Sequence, residues 1–206
     1  LLGVSYMPLR QEFLTDIYYT LKDKVTDVMI TTGGSDPFFA AKAFVDSFLA
    51  DELLQEEKIR YHIISGPFNS HAEELKELYA SHSSVVVHEN VKSMKEIMRQ
   101  CDVVLTATGS TIYEVSALGI PMFVFYFAEN QRQGAEEIEE KTSVINCGDF
   151  SKESEVTVGK AVETLRRCVF DKNYREQLRQ DEKKLVDGKG AARIAETILI
   201  NSYTNL

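Results

Sequence analysis

An α/β fold, with a Rossmann-like parallel sheet carrying helices on both faces, is predicted by three observations. Short apolar runs recur along the 206-residue chain, each closed by glycine, proline or polar turn residues. Segments with helical period separate them, the alternation expected of parallel strands joined by helices. Two of the strands end in small-residue turns, Gly33-Gly34-Ser35 and Gly109-Ser110-Thr111.

Residues 1–9 hold Gly3 and Pro8 without helical or strand period, which suits a linker, and Arg10 to Phe13 suit a short helix. We divide the chain into residues 1–20, an interdomain linker with its lead-in helix, and a domain over 21–206. The first strand spans 27–32 and ends at Gly33-Gly34-Ser35-Asp36-Pro37. Ser35 or Asp36 is placed to cap the next helix, with Pro37 in its first turn. Phe39, Ala43, Phe44 and Phe48 give that helix an apolar face. A second strand over 59–65 stops at Gly66-Pro67. Ser70 to Glu73 matches a capping box, and Leu75 and Leu78 face inward behind it. The third strand covers 84–88. A second capping box, Ser93 to Glu96, opens a short helix that buries Met94, Ile97 and Met98. The fourth strand leads into Gly109, the fifth covers 121–126, and a short sixth covers 142–146. From Ser151 the chain is helical, with Val156, Val158, Val162, Leu165 and Val169 packed inward. The charged stretch 171–184 reads as a solvated helix. Gly188-Lys189-Gly190 precedes a final amphipathic helix over 191–200.

Composition narrows the function. A net charge of −9 argues against general attraction to nucleic acid or anionic membranes. The longest apolar run, 118–128, contains Pro121 and is shorter than the roughly 20 residues that span a bilayer. Cys101, Cys147 and Cys168 are odd in number without C-x-x-C spacing, so reduced thiols and a cytoplasmic setting are expected. His62, His71, His82 and His88 share no spacing, and no metal is expected. The sequence opens Leu-Leu-Gly, from which we expect a piece of a longer protein. Neither G-x-G-x-x-G nor a Walker A lysine is present, which disfavours nicotinamide and ATP sites.

In the strand order 3-2-1-4-5-6, strands one and four are neighbours where the winding reverses, and ligands bind there. Backbone N–H groups of Gly33, Gly34 and Ser35 then meet those of Gly109, Ser110 and Thr111. The last three open a helix whose dipole favours an anion such as phosphate. Glu114 has two readings: a carboxylate for the vicinal diol of a ribose, or the fourth residue of a capping box. Asn130 and Gln131, after strand five, carry donors and acceptors for sugar hydroxyl or acetamido groups, and Asn130 equally suits an N-cap. No nucleophile–base pair and no pair of carboxylates is marked out, so the catalytic residues are unassigned.

Three stretches in order carry a family resemblance: Thr31 to Pro37, Gly109 to Glu114 and Ala128 to Gln131. They resemble the C-terminal half of the UDP-sugar hydrolase of pseudaminic acid biosynthesis and the related spore coat polysaccharide biosynthesis proteins, described as predicted glycosyltransferases. More distantly they are similar to the murein-building N-acetylglucosaminyltransferase. Tyr6 to Phe13 is similar to this group's interdomain linker. The resemblance implies the C-terminal domain of a GT-B architecture that binds a UDP-sugar, with no cofactor and no metal. It implies a diphosphate on Gly34, Ser35, Ser110 and Thr111, and ribose on Glu114. The sugar would lie on Asn130 and Gln131, and the base would be bordered by Val91, Ser93 and Met94. It also implies a partner, the N-terminal domain of the full-length protein, which holds the hydrolase's catalytic histidine. Hydrolysis and glycosyl transfer stay open, in surface or spore coat polysaccharide or nonulosonic acid synthesis. A noncatalytic module that senses UDP-sugars is the alternative.

Overall fold

The computed structural model describes residues 3–15 and 18–204, with side chains through 200. Among these residues six strands form one parallel sheet in the order β3-β2-β1-β4-β5-β6. The strands are β1 (Asp27–Thr31), β2 (Arg60–Ile64), β3 (Val85–His88), β4 (Val103–Ala107), β5 (Met122–Tyr126) and β6 (Asn146–Asp149). The predicted winding, reversing between β1 and β4, is therefore present. Burial on both faces explains the near-continuous apolar runs: Val28, Met29, Ile30, Val103, Val104, Leu105 and Met122 to Phe125 are fully buried.

The first helices are α1 (Ala40–Ala50), α2 (Glu52–Gln55), α3 (Ala72–Tyr79) and α4 (Met94–Met98). α5 (Thr111–Leu118), α6 (Glu129–Lys141), α7 (Ser154–Phe170), α8 (Lys172–Glu182) and α9 (Gly190–Thr204) follow. Phe44 of α1 meets Phe125 of β5 edge-on at 4.8 Å and Phe150 at 5.3 Å, which seats α1 against the sheet. The residues from Arg10 to Phe13 make only a 3-10 turn, Gln11–Phe13, with Phe13 buried.

Several expectations are corrected. The sixth strand starts at Asn146 rather than 142, because α6 runs to Lys141 and Thr142 turns its hydroxyl back onto the Ile138 carbonyl. α3 begins after His71 without a side-chain cap, so Ser70 is not its capping residue. Leu78 is exposed while Tyr79 is buried in its place, and Val156 is exposed too. α8 is not simply solvated, since Arg175 and Glu182 are fully buried in it. Arg175 donates to the carbonyls of Cys168, Val169, Lys22 and Asp23, closing the end of α7 against the segment before β1. Glu182 accepts the Met122 amide at 2.8 Å, and burial pushes its carboxyl well above the ordinary value. Two of the scattered histidines also meet. His62 and His88, on adjacent strands, share a 2.9 Å N···N contact, and His62 pairs with Asp27. His88 is pushed down by burial and by His62. Among the described residues no group of three metal-ligating side chains forms.

Candidate functional site

A cavity of about 640 Å³ opens where the winding reverses. Its lining includes Gly33, Gly34 and Ser35 from the turn after β1, and Gly109, Ser110, Thr111 and Glu114 from the turn after β4 and α5. Val91, Met94 and Gln131 line it as well. Ser93 and Asn130 are the two expected residues outside that lining.

The turn after β1 is a loop held from outside. Gly33 has φ 87°, which a side chain would strain, and its amide donates to the Thr31 hydroxyl. Gly66, after β2, packs directly on it: a methyl there would overlap the carbonyl oxygens of Gly33 and Gly34. The Phe68 amide adds a hydrogen bond to the Gly34 carbonyl at 2.9 Å. α1 starts only at Ala40, later than the sequence implied, because Phe39 takes a left-handed conformation at φ 55°. Asp36 nevertheless caps it, accepting the amides of Ala40 at 2.7 Å and Ala41 at 3.0 Å. Burial raises the Asp36 carboxyl above its ordinary range.

The turn after β4 launches its helix at once. Ser110 already has helical dihedrals and no side-chain cap, so α5 points an uncapped N-terminus at the cavity. Among the described residues, no intrachain acceptor takes the amides of Gly34, Ser35, Gly109, Ser110 or Thr111. Such amides, with the α5 dipole, are suited to an anion. Behind them Thr108 donates to the carbonyls of Phe125 and Gln131, pinning the turn to the start of α6.

Glu114 does not serve as a capping-box residue. Its two oxygens accept Nε and Nη2 of Arg10 at 2.6 and 2.9 Å, a bidentate pair across 104 positions of sequence. The Glu114 side chain is 8% exposed and that of Arg10 51%. Among the described residues Arg10 and Glu114 are the charged side chains in the lining, so anion binding leans on amides, hydroxyls and this guanidinium. The Arg10 guanidinium is raised further by its bond to Glu114.

Gln131 accepts the Phe127 amide through Oε1, leaving its NH₂ group to donate into the cavity. Asn130 is exposed in the first turn of α6, where the N-cap position belongs to Ala128. Ser93 caps α4 by accepting the Glu96 amide, and its hydroxyl donates to Glu12 at 2.6 Å. Among the lining residues that sequence reasoning passed over are Arg10, Ser65, Gly66, Asn90 and Phe127. Gly66-Pro67 reads as punctuation in the sequence, although a glycine after a strand beside a glycine turn signals close backbone approach.

Residues 28–198 match the glycosyltransferase family 28 C-terminal domain. The chain is 24% identical over 178 residues to the spore coat polysaccharide biosynthesis protein SpsG of Bacillus subtilis, covering 85% of this chain and 50% of that protein. It is 27% identical over 165 residues to a Helicobacter pylori protein, pseudaminic acid cytidylyltransferase and UDP-2,4-diacetamido-2,4,6-trideoxy-beta-L-altropyranose hydrolase. That match covers 80% of this chain and 28% of the relative, so the chain spans at most about half of these curated relatives. Among solved structures it is similar to Anabaena HepE, crystallised with UDP and glucose, with TM-score 0.63 at 13% identity. There 96% of this chain and 54% of the other are covered, a likeness of fold. No helix among the described residues is long and apolar enough to cross a membrane. With five-sixths of its length inside the family's domain, a parallel sheet in the 3-2-1-4-5-6 order and a cavity at the reversal, the chain belongs to the glycosyltransferase family 28 C-terminal domain, of GT-B fold.

Proposed function

We propose that this chain is the donor-binding half of a two-domain enzyme acting on a nucleotide sugar, with UDP as the nucleotide. The observation that carries the reading is the convergence of unpaired amides from Gly34, Ser35, Gly109, Ser110 and Thr111 on one cavity, with a carboxylate in the first turn of α5. The amides suit a diphosphate, and Glu114 suits the ribose diol. Val91 and Met94 border the base, and Gln131 donates to the sugar. Ser93 supports the base side from behind, and Asn130 adds to the sugar side from the exposed first turn of α6. Residues before 21 act as the linker to an N-terminal domain that forms the other wall.

Displacement at the anomeric carbon needs a group that takes a proton from water or an acceptor hydroxyl. Among the described residues the lining contains no histidine, aspartate or cysteine, and its one carboxylate is engaged by Arg10. The proton acceptor therefore belongs to the N-terminal half, and this chain alone should bind with little turnover. Similarity to SpsG and to the Helicobacter protein supports a place in surface polysaccharide or nonulosonic acid synthesis in the cytoplasm, with transfer and hydrolysis both open.

Titration with UDP, UDP-N-acetylglucosamine, CMP and GDP, followed by amide hydrogen exchange, tests the reading. The uridine nucleotides should bind tightest and protect the amides around Gly34 and Ser110. Protection confined to α7–α9, or equal affinity for all four, would overturn it.

A further inference from the structure

Four polar side chains form a continuous row beside the cavity. Glu114 on α5 takes the fork of Arg10 on both its oxygens. The third nitrogen, Nη1 of Arg10, meets Oε1 of Glu12 at 3.1 Å. The other oxygen of Glu12 accepts the Ser93 hydroxyl at 2.6 Å. Ser93 caps α4, whose first residue, Met94, lines the cavity. The Arg10 guanidinium also lies over the Phe13 ring, 5.1 Å from its centre, and Phe13 is buried in the core. The row thus joins α5 to α4 through the 3-10 turn Gln11–Phe13 of the lead-in segment.

We propose that Glu12 is a positioning residue for nucleoside recognition, setting the Glu114 carboxylate through Arg10 while holding the base-side loop through Ser93. This inference rests on the reading of the cavity as a nucleotide site. A carboxylate offers about four acceptor positions, and a forked guanidinium takes one from each oxygen. The outer position on each oxygen remains, and either one can accept a ribose hydroxyl. A glutamate side chain left alone rotates about its outer bonds, whereas a fork fixes the carboxylate plane. Arg10 is itself long, with half its side chain exposed, so its plane needs fixing in turn. Glu12 and the Phe13 ring do this from two directions. Glu12 does not line the cavity, and a nucleotide would feel it only through its two partners.

The test compares UDP with 2′,3′-dideoxyuridine 5′-diphosphate by calorimetry on the full chain and on Glu12→Gln. Wild type should prefer UDP by about tenfold or more. Glu12→Gln keeps the side chain's size but loses the charge that holds Arg10, so the preference should fall at least threefold, with the melting temperature nearly unchanged. A smaller fall overturns the role of Glu12. If Glu12→Gln does not fold, Arg10→Lys is read by the same threshold, because lysine keeps the charge but cannot fork. Failure of wild type to bind UDP, or to prefer it over the dideoxy analogue, overturns the nucleotide reading as well. UDP binding that depends on Glu114 with an unmoved preference in the variant overturns the positioning role alone.

Discussion

After β1 the chain runs through residues 32–39 before α1 starts, whereas after β4 only residues 108–110 precede α5. Both turns line the cavity, yet only the second brings a helix N-terminus to it. At the first, Asp36 takes the amides of Ala40 and Ala41, so the α1 dipole is answered by protein. What Gly33, Gly34 and Ser35 offer is loop amides held in place by Gly66 and Phe68. At the second, Ser110 leaves the α5 end uncapped, and the dipole faces the cavity. Two turns of similar composition therefore do different electrostatic work. One supplies shaped donors and the other supplies donors plus a field.

The change with the largest expected effect attacks the brace of the first turn. Gly66→Ala forces a methyl into the backbone of Gly33 and Gly34, whereas Gly109→Ala meets nothing within 4 Å. We expect Gly66→Ala to cost about 1–3 kcal/mol or more, the range for overpacking, and to weaken UDP at least tenfold. Gly109→Ala should stay within about 0.5 kcal/mol of wild type. Chemical denaturation of the pair checks the contrast, and equal stability of the two variants would show that the first turn is not braced.

A second pair separates structure from binding. Asp36→Ala removes a helix cap and should cost about 1–2 kcal/mol of stability. Glu114→Gln removes the charge-assisted partner proposed for the ribose and should weaken UDP by about tenfold, with a smaller effect on melting temperature. Thermal melts and calorimetric titration of both proteins resolve the two effects. Stability lost at Glu114 with UDP affinity unchanged would reduce that carboxylate to a partner for Arg10.

The strands are legible because they are buried on both faces and read as apolar runs, and the reversal follows from the common order for such alternating strands. The glycine turns were legible for the same local reason. What escaped was set by distant contacts. Nothing near Glu114 marks it for Arg10, which lies 104 positions away, and its fit to a capping box concealed the pairing. Ser93 does cap α4 as its capping box implied, but its hydroxyl is committed to Glu12 and it stands behind the lining. The charge density over 171–184 suggests a solvated helix. Arg175 is buried because four backbone carbonyls converge on it, a convergence no local pattern records.

The smallest predicted effect leaves both turns untouched and concerns Glu182, whose carboxyl folds into the core with its ordinary value raised. Such a group holds its proton more tightly folded than unfolded. Its contribution to stability is complete below the ordinary value of 4.5 and is lost as pH climbs through the raised one. Within that window folding draws a proton out of the buffer. The heat of unfolding should then depend on the buffer's own ionisation enthalpy, and Glu182→Gln should shrink that dependence by up to one proton. An unchanged slope in the variant would mean that the proton goes elsewhere. The docking of α8 against the first residue of β5 is, in this sense, a chemical reaction with the solvent as reagent.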